Sequence, residues 1–138
     1  MPEEKPFVPN LLSREQLNIT RHENFESWYA NNVQYEPNEW DLRMLFGILA
    51  LDDKGKPGIE QHTAMSISWP NVRVMLYFLQ LQLAIFERLN GSVRVPQSVW
   101  PPEPTPPSDE LKAANPAAQD IYDIVKRARD QFVAEVSQ

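Results

Sequence analysis

The stretch YANNVQYEPNEWDLRMLFG, residues 29–47, decides the fold because its apolar residues recur with the period of two that a half-buried strand requires. From Trp28 to Glu36, Tyr29, Asn31, Val33 and Tyr35 share one face, and Ala30, Asn32, Gln34 and Glu36 share the other. Glu36-Pro37-Asn38-Glu39 supplies a turn: proline presets φ, and asparagine tolerates unusual backbone angles. After it Trp40, Leu42, Met44, Phe46, Ile48 and Ala50 recur at every second position, which predicts a second strand.

Working outward, DDKGKPG (52–58) is a turn cluster, and Ile59, Gln61, Thr63, Met65 and Ile67 alternate after it. A slip of one residue would send every apolar side chain to the wrong face, so the pattern specifies register. It pairs Tyr35 with Trp40, Val33 with Leu42 and Tyr29 with Phe46, then Leu42 with Ile67, Met44 with Met65 and Ile48 with Gln61. The expectation is a three-stranded antiparallel meander with one apolar face, within which Gly47 marks a bulge or close packing.

Ser68 is placed to cap a helix and Pro70 falls in its first turn, where a missing N–H costs nothing. The helix is expected to run to about Leu89, with Asn90-Gly91 as its stop. At about 100° per residue, Val72, Met75, Leu76, Leu79, Leu83 and Phe86 form one apolar stripe. Val74, Phe78, Leu81, Ile85 and Leu89 form a second, nearly opposite, and only the sector of Arg73, Gln80, Glu87 and Arg88 is polar. A helix packed on one face of a sheet buries one stripe, so the other needs a cover from this chain or a partner.

Residues 92–107, SVRVPQSVWPPEPTPP, hold six prolines and predict an extended polyproline-like strap that spaces the last helix from the core. Ser108-Asp109-Glu110 starts a helical turn, and Asn115-Pro116 opens a final helix over roughly 117–136, with Ile121, Ile124, Val125, Ala128, Phe132 and Val136 on one side. Near the amino terminus, Ser13 and Gln16 have the spacing of a capping box before Leu17 and Ile19. The organisation predicted is an arm (1–27), an α+β core (28–95), a proline-rich linker (96–115) and an amphipathic C-terminal helix (116–138).

Taken together, YANNVQ, WDLRMLFG, the strand entering SWPN and the helix ending FERLNG resemble a bacterial family of small proteins catalogued as a domain of unknown function. The positions carrying the resemblance are Tyr29, Asn31, Asp41, Phe46, Gly47, Ser68, Glu87 and Gly91, within about residues 28–95. The chain departs from the family pattern at Trp69-Pro70-Asn71, where small and basic residues are more usual, and in its strap and terminal helix. The resemblance implies a shared fold unit and no particular chemistry.

Composition narrows function further. Nineteen acids against thirteen bases give a net charge of −6, which disfavours a phosphate backbone as partner. There is no cysteine, and His22 and His62 lack metal-ligand spacing, so no metal site or cofactor is expected. No apolar run approaches the roughly 20 residues that span a bilayer, and MPEEKPFVPN does not resemble a secretory signal, so no membrane role and a cytoplasmic location are expected. Asp41, Glu60 and His62 are expected on the back face of the sheet, where an acid–base pair is conceivable, but Gln34, Arg43 and Ser66 give that face the composition of a solvated surface.

Asn31 points toward the apolar face and must bond to backbone or to a tyrosine hydroxyl, or else line a polar pocket. The leading expectation is a non-enzymatic interaction module, an adaptor, chaperone-like binder or assembly subunit, acting as a homo-oligomer with an unidentified protein partner. Its binding residues are expected to be Val74, Phe78, Leu81, Ile85 and Leu89 on the helix, Leu45 and Leu49 on the sheet, and Ile121, Val125 and Phe132 on the last helix. The alternative is a small-ligand or catalytic domain lined by Tyr29, Asn31, Tyr35 and Trp40.

Overall fold

The structure, a computed structural model, describes residues 17–137. The Ser13–Gln16 capping box lies outside the described residues. The elements follow in the order β1 (Asn32–Pro37), β2 (Asp41–Leu51), β3 (Pro57–Ser68), α1 (Trp69–Asn90), a 3-10 turn (Gln97–Val99), α2 (Asp109–Ala114) and α3 (Ala118–Val136). The class is α+β: an antiparallel sheet in the order β1-β2-β3, then a long helix and a C-terminal helix. The chain divides into two compact units at Val72/Arg73.

In the first unit the meander forms, with a first-hairpin register different from the expected one. Val33 lies opposite Phe46, Tyr35 opposite Met44 and Pro37 opposite Leu42, so each β1 residue meets a β2 residue four positions later than the hydropathy pattern suggested. The cause is Asn38. Its Oδ1 accepts hydrogen bonds from the N–H groups of Trp40 (2.7 Å) and Asp41 (2.9 Å), and its own N–H donates to the Asp41 carbonyl at 3.0 Å. That side-chain turn moves the loop two residues along and takes Trp40 out of the ladder. A shift of four is even, so both strands keep their faces. The Trp69 indole N–H donates to the Asn38 carbonyl at 2.9 Å, which ties the end of β3 to the same turn.

The second hairpin starts in the expected register, with Leu42 opposite Ile67 and Met44 opposite Met65, and leaves it at Phe46/Gly47. Phe46 faces Thr63 but Gly47 faces Gln61, so His62 is an extra residue, a β-bulge. Beyond it β3 exchanges its faces. Ile48 meets Glu60 instead of Gln61, and Ile59 joins Leu49 on the back of the sheet. Gly47 is required by this geometry, since a Cβ there would stand 2.6 Å from the Glu60 carbonyl oxygen and 3.1 Å from Gln61 Cα. The hairpin closes over Asp52, whose Oδ1 accepts from the N–H groups of Lys54 (2.9 Å) and Lys56 (2.8 Å), with Gly55 at φ 77°. Among the described residues of this unit, Met44, centred between Tyr35 and Met65, is the buried hydrophobic one.

The helix α1 has the expected limits. Trp69 begins it, Pro70 sits in the first turn, and Gly91 ends it at φ 88° with its N–H on the Glu87 carbonyl at 2.9 Å.

In the second unit the strap folds back along α3. The Arg129 side-chain Nε–H donates to the Pro101 carbonyl at 3.3 Å, Lys126 and Tyr122 border a hollow with Glu103 and Pro106, and Ala118 borders a cleft with Pro107. Strap and helix therefore run antiparallel. The Trp100 indole N–H donates to the Val95 carbonyl at 3.0 Å and pins the start of the strap. Ser108 caps α2, its Oγ accepting from the Leu111 N–H at 3.2 Å, and Asn115 Oδ1 accepts from the Ala117 N–H at 3.0 Å just ahead of α3. Among the described residues of this unit, Ala118 is the buried hydrophobic one.

Candidate functional site

The residues expected to line an aromatic pocket do not assemble one. Asn31 sends both ends of its amide to Leu49: Nδ2 donates to the carbonyl at 3.2 Å and Oδ1 accepts from the N–H at 2.6 Å. Its backbone N–H donates to the Gly47 carbonyl at 3.2 Å. The side chain therefore serves as one more rung of the ladder, a structural bond to backbone as expected, but Asn31 is exposed and not inward-facing as the alternation suggested, because the amide lies along the ladder beside Leu49. Tyr29 precedes β1 and Trp40 lies in the turn after it, so at about 3.3 Å per residue the two are separated by the length of the strand. Both rings, and that of Tyr35, are exposed.

No acid–base pair forms from Asp41, Glu60 and His62. Asp41 lies opposite Ser68 and accepts from Asn38 Nδ2 at 2.7 Å, while the bulge moves Glu60 to the face of Ile48. His62 is engaged otherwise. Its Nε2 lies 2.9 Å from the Tyr29 carbonyl and its Nδ1 2.8 Å from Thr63 Oγ1. A carbonyl only accepts, so Nε2 carries the proton and Nδ1 accepts from the threonine hydroxyl. The ring also stacks on Trp28, centroids 4.8 Å apart and planes 16° apart, and the Trp28 indole donates to Glu26 at 2.8 Å. His62 thus fastens residues 26–29 to the sheet. The sequence carried one signal of this: the expected Ile48–Gln61 pair set an apolar residue against a polar one.

On the back face Gln61 donates to Gln34 Oε1 at 3.0 Å, and Arg43 and Glu36, directly opposite each other, form a half-exposed ion pair at 3.5 Å. Toward the second turn the same face becomes apolar, as Leu49 meets Ile59. Leu45 is half-buried there and Leu49 exposed. Asn32, also on this face, holds its Oδ1 enclosed and without a hydrogen-bond partner among the described residues.

The larger apolar surface is on α1. None of its 22 residues is buried. Along the first stripe Leu76, Leu79, Leu83 and Phe86 are each 48–59% exposed, and along the second, exposure runs from 38% at Leu81 through Ile85 to 77% at Leu89. Val74 and Phe78 are half-buried, and the Phe78 ring meets Tyr77 edge-on at 5.1 Å. Isolated exposed apolar side chains are ordinary; here they recur along two sides of one helix, interrupted by the half-buried Val72, Val74, Met75 and Phe78.

The last helix is partly occupied by its own chain. Ile121 and Val125 line a cleft of about 270 Å³ with Pro104, Pro107, Leu111 and Tyr122. Phe132 is half-buried. Lys126 donates to Asp130 at 2.9 Å, and that hydrogen bond, with the carboxylate charge, raises the lysine above its ordinary pKa. Among the described residues no cluster of histidine, aspartate and glutamate is arranged to hold a metal ion, and no helix is long and apolar enough to cross a membrane. No family model, curated protein or solved structure was found to match the chain.

Proposed function

We propose that this chain is a non-enzymatic protein-interaction module, an adaptor, chaperone-like binder or assembly subunit that works in the cytoplasm as a homo-oligomer. The observation that carries the proposal is α1, a helix about 33 Å long by its rise per residue that exposes apolar stripes on two sides and buries none of its residues. Side chains of this kind contribute about 1.5–3 kcal/mol each when fully removed from water, so their exposure is a standing drive toward association. Leu49 and Ile59 add an apolar patch at the far end of the sheet. Light scattering on the eluting chromatographic peak tests the proposal: at micromolar concentration it expects a mass of at least twice 16.0 kDa. A compact monomer at that concentration would sink it.

A further inference from the structure

The first stripe of α1 carries, beside its apolar residues, a charge pattern that fits a second copy of itself. Leu76 and Leu83 are seven residues apart, as are Leu79 and Phe86, and the alternation of four and three between them is that of the a and d positions of a heptad. On one flank of this seam stand Arg73, Gln80 and Glu87, again seven apart, and on the other Met75, Gln82 and Leu89. Turned end for end about Gln80, the first flank maps onto itself with its charges complementary: Arg73 meets Glu87, Gln80 meets Gln80, and Glu87 meets Arg73. The other flank is self-complementary without charge about Gln82, Met75 meeting Leu89 and Gln82 meeting Gln82, and the seam between the flanks, Leu76 with Phe86 and Leu79 with Leu83, is centred on Leu81. A parallel pair would instead set each flank against the opposite one and leave both charges without a partner.

We infer that α1 pairs with α1 of a second copy, antiparallel and across a two-fold axis near Gln80, through the seam Leu76, Leu79, Leu83 and Phe86. This deepens the oligomer proposed above and rests on it. Arg73 and Glu87 cannot satisfy each other within one helix, where fourteen residues separate them by about 21 Å. The ion pairs among the described residues, Arg43–Glu36 and Lys126–Asp130, involve neither. An isologous contact of this kind closes on itself as a dimer, and it leaves the second stripe, with Phe78 and Ile85, open to a different protein.

The test is a charge swap on the full chain, read by sedimentation equilibrium, with circular dichroism to confirm that each variant keeps its helix. Arg73→Glu alone sets acid against acid at both ends of the seam and should raise the dimer dissociation constant about tenfold or more. Glu87→Arg alone should do the same, and the two together should restore the wild-type value. As a second readout, Gln80→Cys in this cysteine-free chain should couple to its own counterpart through a short bis-maleimide linker, while Arg88→Cys should not. A wild-type dimer unmoved by either single reversal, unrestored by the pair, or weakened instead by Phe78→Glu with Ile85→Glu would overturn the antiparallel seam and leave the oligomer standing. A wild-type monomer would overturn both.

Discussion

Asn31 and Leu49 are joined by two hydrogen bonds, an amide side chain standing where a neighbouring strand would otherwise offer its backbone. The pair continues the ladder one step beyond Asn32 opposite Gly47. Asn31→Ala removes both bonds and should lower unfolding free energy by about 1–2 kcal/mol. Asn31→Asp should cost at least as much, since a carboxylate facing the Leu49 carbonyl repels where the amide donated. Urea titration followed by far-ultraviolet dichroism measures both, and an unchanged midpoint for either would refute the role.

Gly47→Ala tests the bulge from the opposite strand. The added Cβ would press on the Glu60 carbonyl and on Gln61 Cα, both backbone atoms with little freedom to move. The expected loss is about 1–3 kcal/mol, the usual cost of overpacking. A neutral substitution would mean that β3 can relax away from β2 at this point.

Asn32 should behave in the contrary way to its neighbour. Its Oδ1 is enclosed without a partner among the described residues, so no bond there offsets the desolvation cost. Asn32→Val removes that atom and adds a side chain suited to a strand, and thermal melts should show stability equal to or above that of the wild type. A fall in the melting temperature would show that the amide is used.

His62→Ala should release residues 26–29 without unfolding the sheet. The Trp28 stack and the bond to the Tyr29 carbonyl both vanish with the ring. Hydrogen exchange in that segment should accelerate while Met44 and its neighbours stay protected. Uniform acceleration across the sheet would assign His62 to global stability instead.

Lys126 gives the sign of one pH effect. Its folded pKa is raised by the Asp130 hydrogen bond, so the small stabilisation is complete below the ordinary lysine range and disappears as pH climbs through the raised value. The pair is exposed, and Asp130→Asn should leave the melting temperature at neutral pH within error of the wild type. A clear drop would mean that the pair holds α3 in place.

Much of this architecture was legible in the residues, and the exceptions share a cause. Period-two alternation located the strands, and the caps at Ser108 and Gly91 lie where composition put them. Hydropathy failed at Asn38 and at His62, where a side chain competes with the backbone for hydrogen bonds, because such competition leaves no trace in an apolar pattern. The prolines of 101–107 announced stiffness; that the strap would double back on α3 depends on Arg129 reaching Pro101, a contact 28 residues away that no local pattern encodes. The stripes of α1 were evident from spacing alone. Their exposure on both sides was not, since spacing says which residues share a side and nothing of what lies over it.

The bulge has a last consequence at the rim of the sheet. Among the described residues β3, twelve residues long, pairs only with β2, so its other edge is the rim where an extended chain drifting past would add. An intruding strand aligned with Thr63 to Ser68 would find its side chains out of phase with those of Pro57 to Gln61. The misfit is built into the middle of the longest strand, and it denies that rim a continuous template for fibre growth.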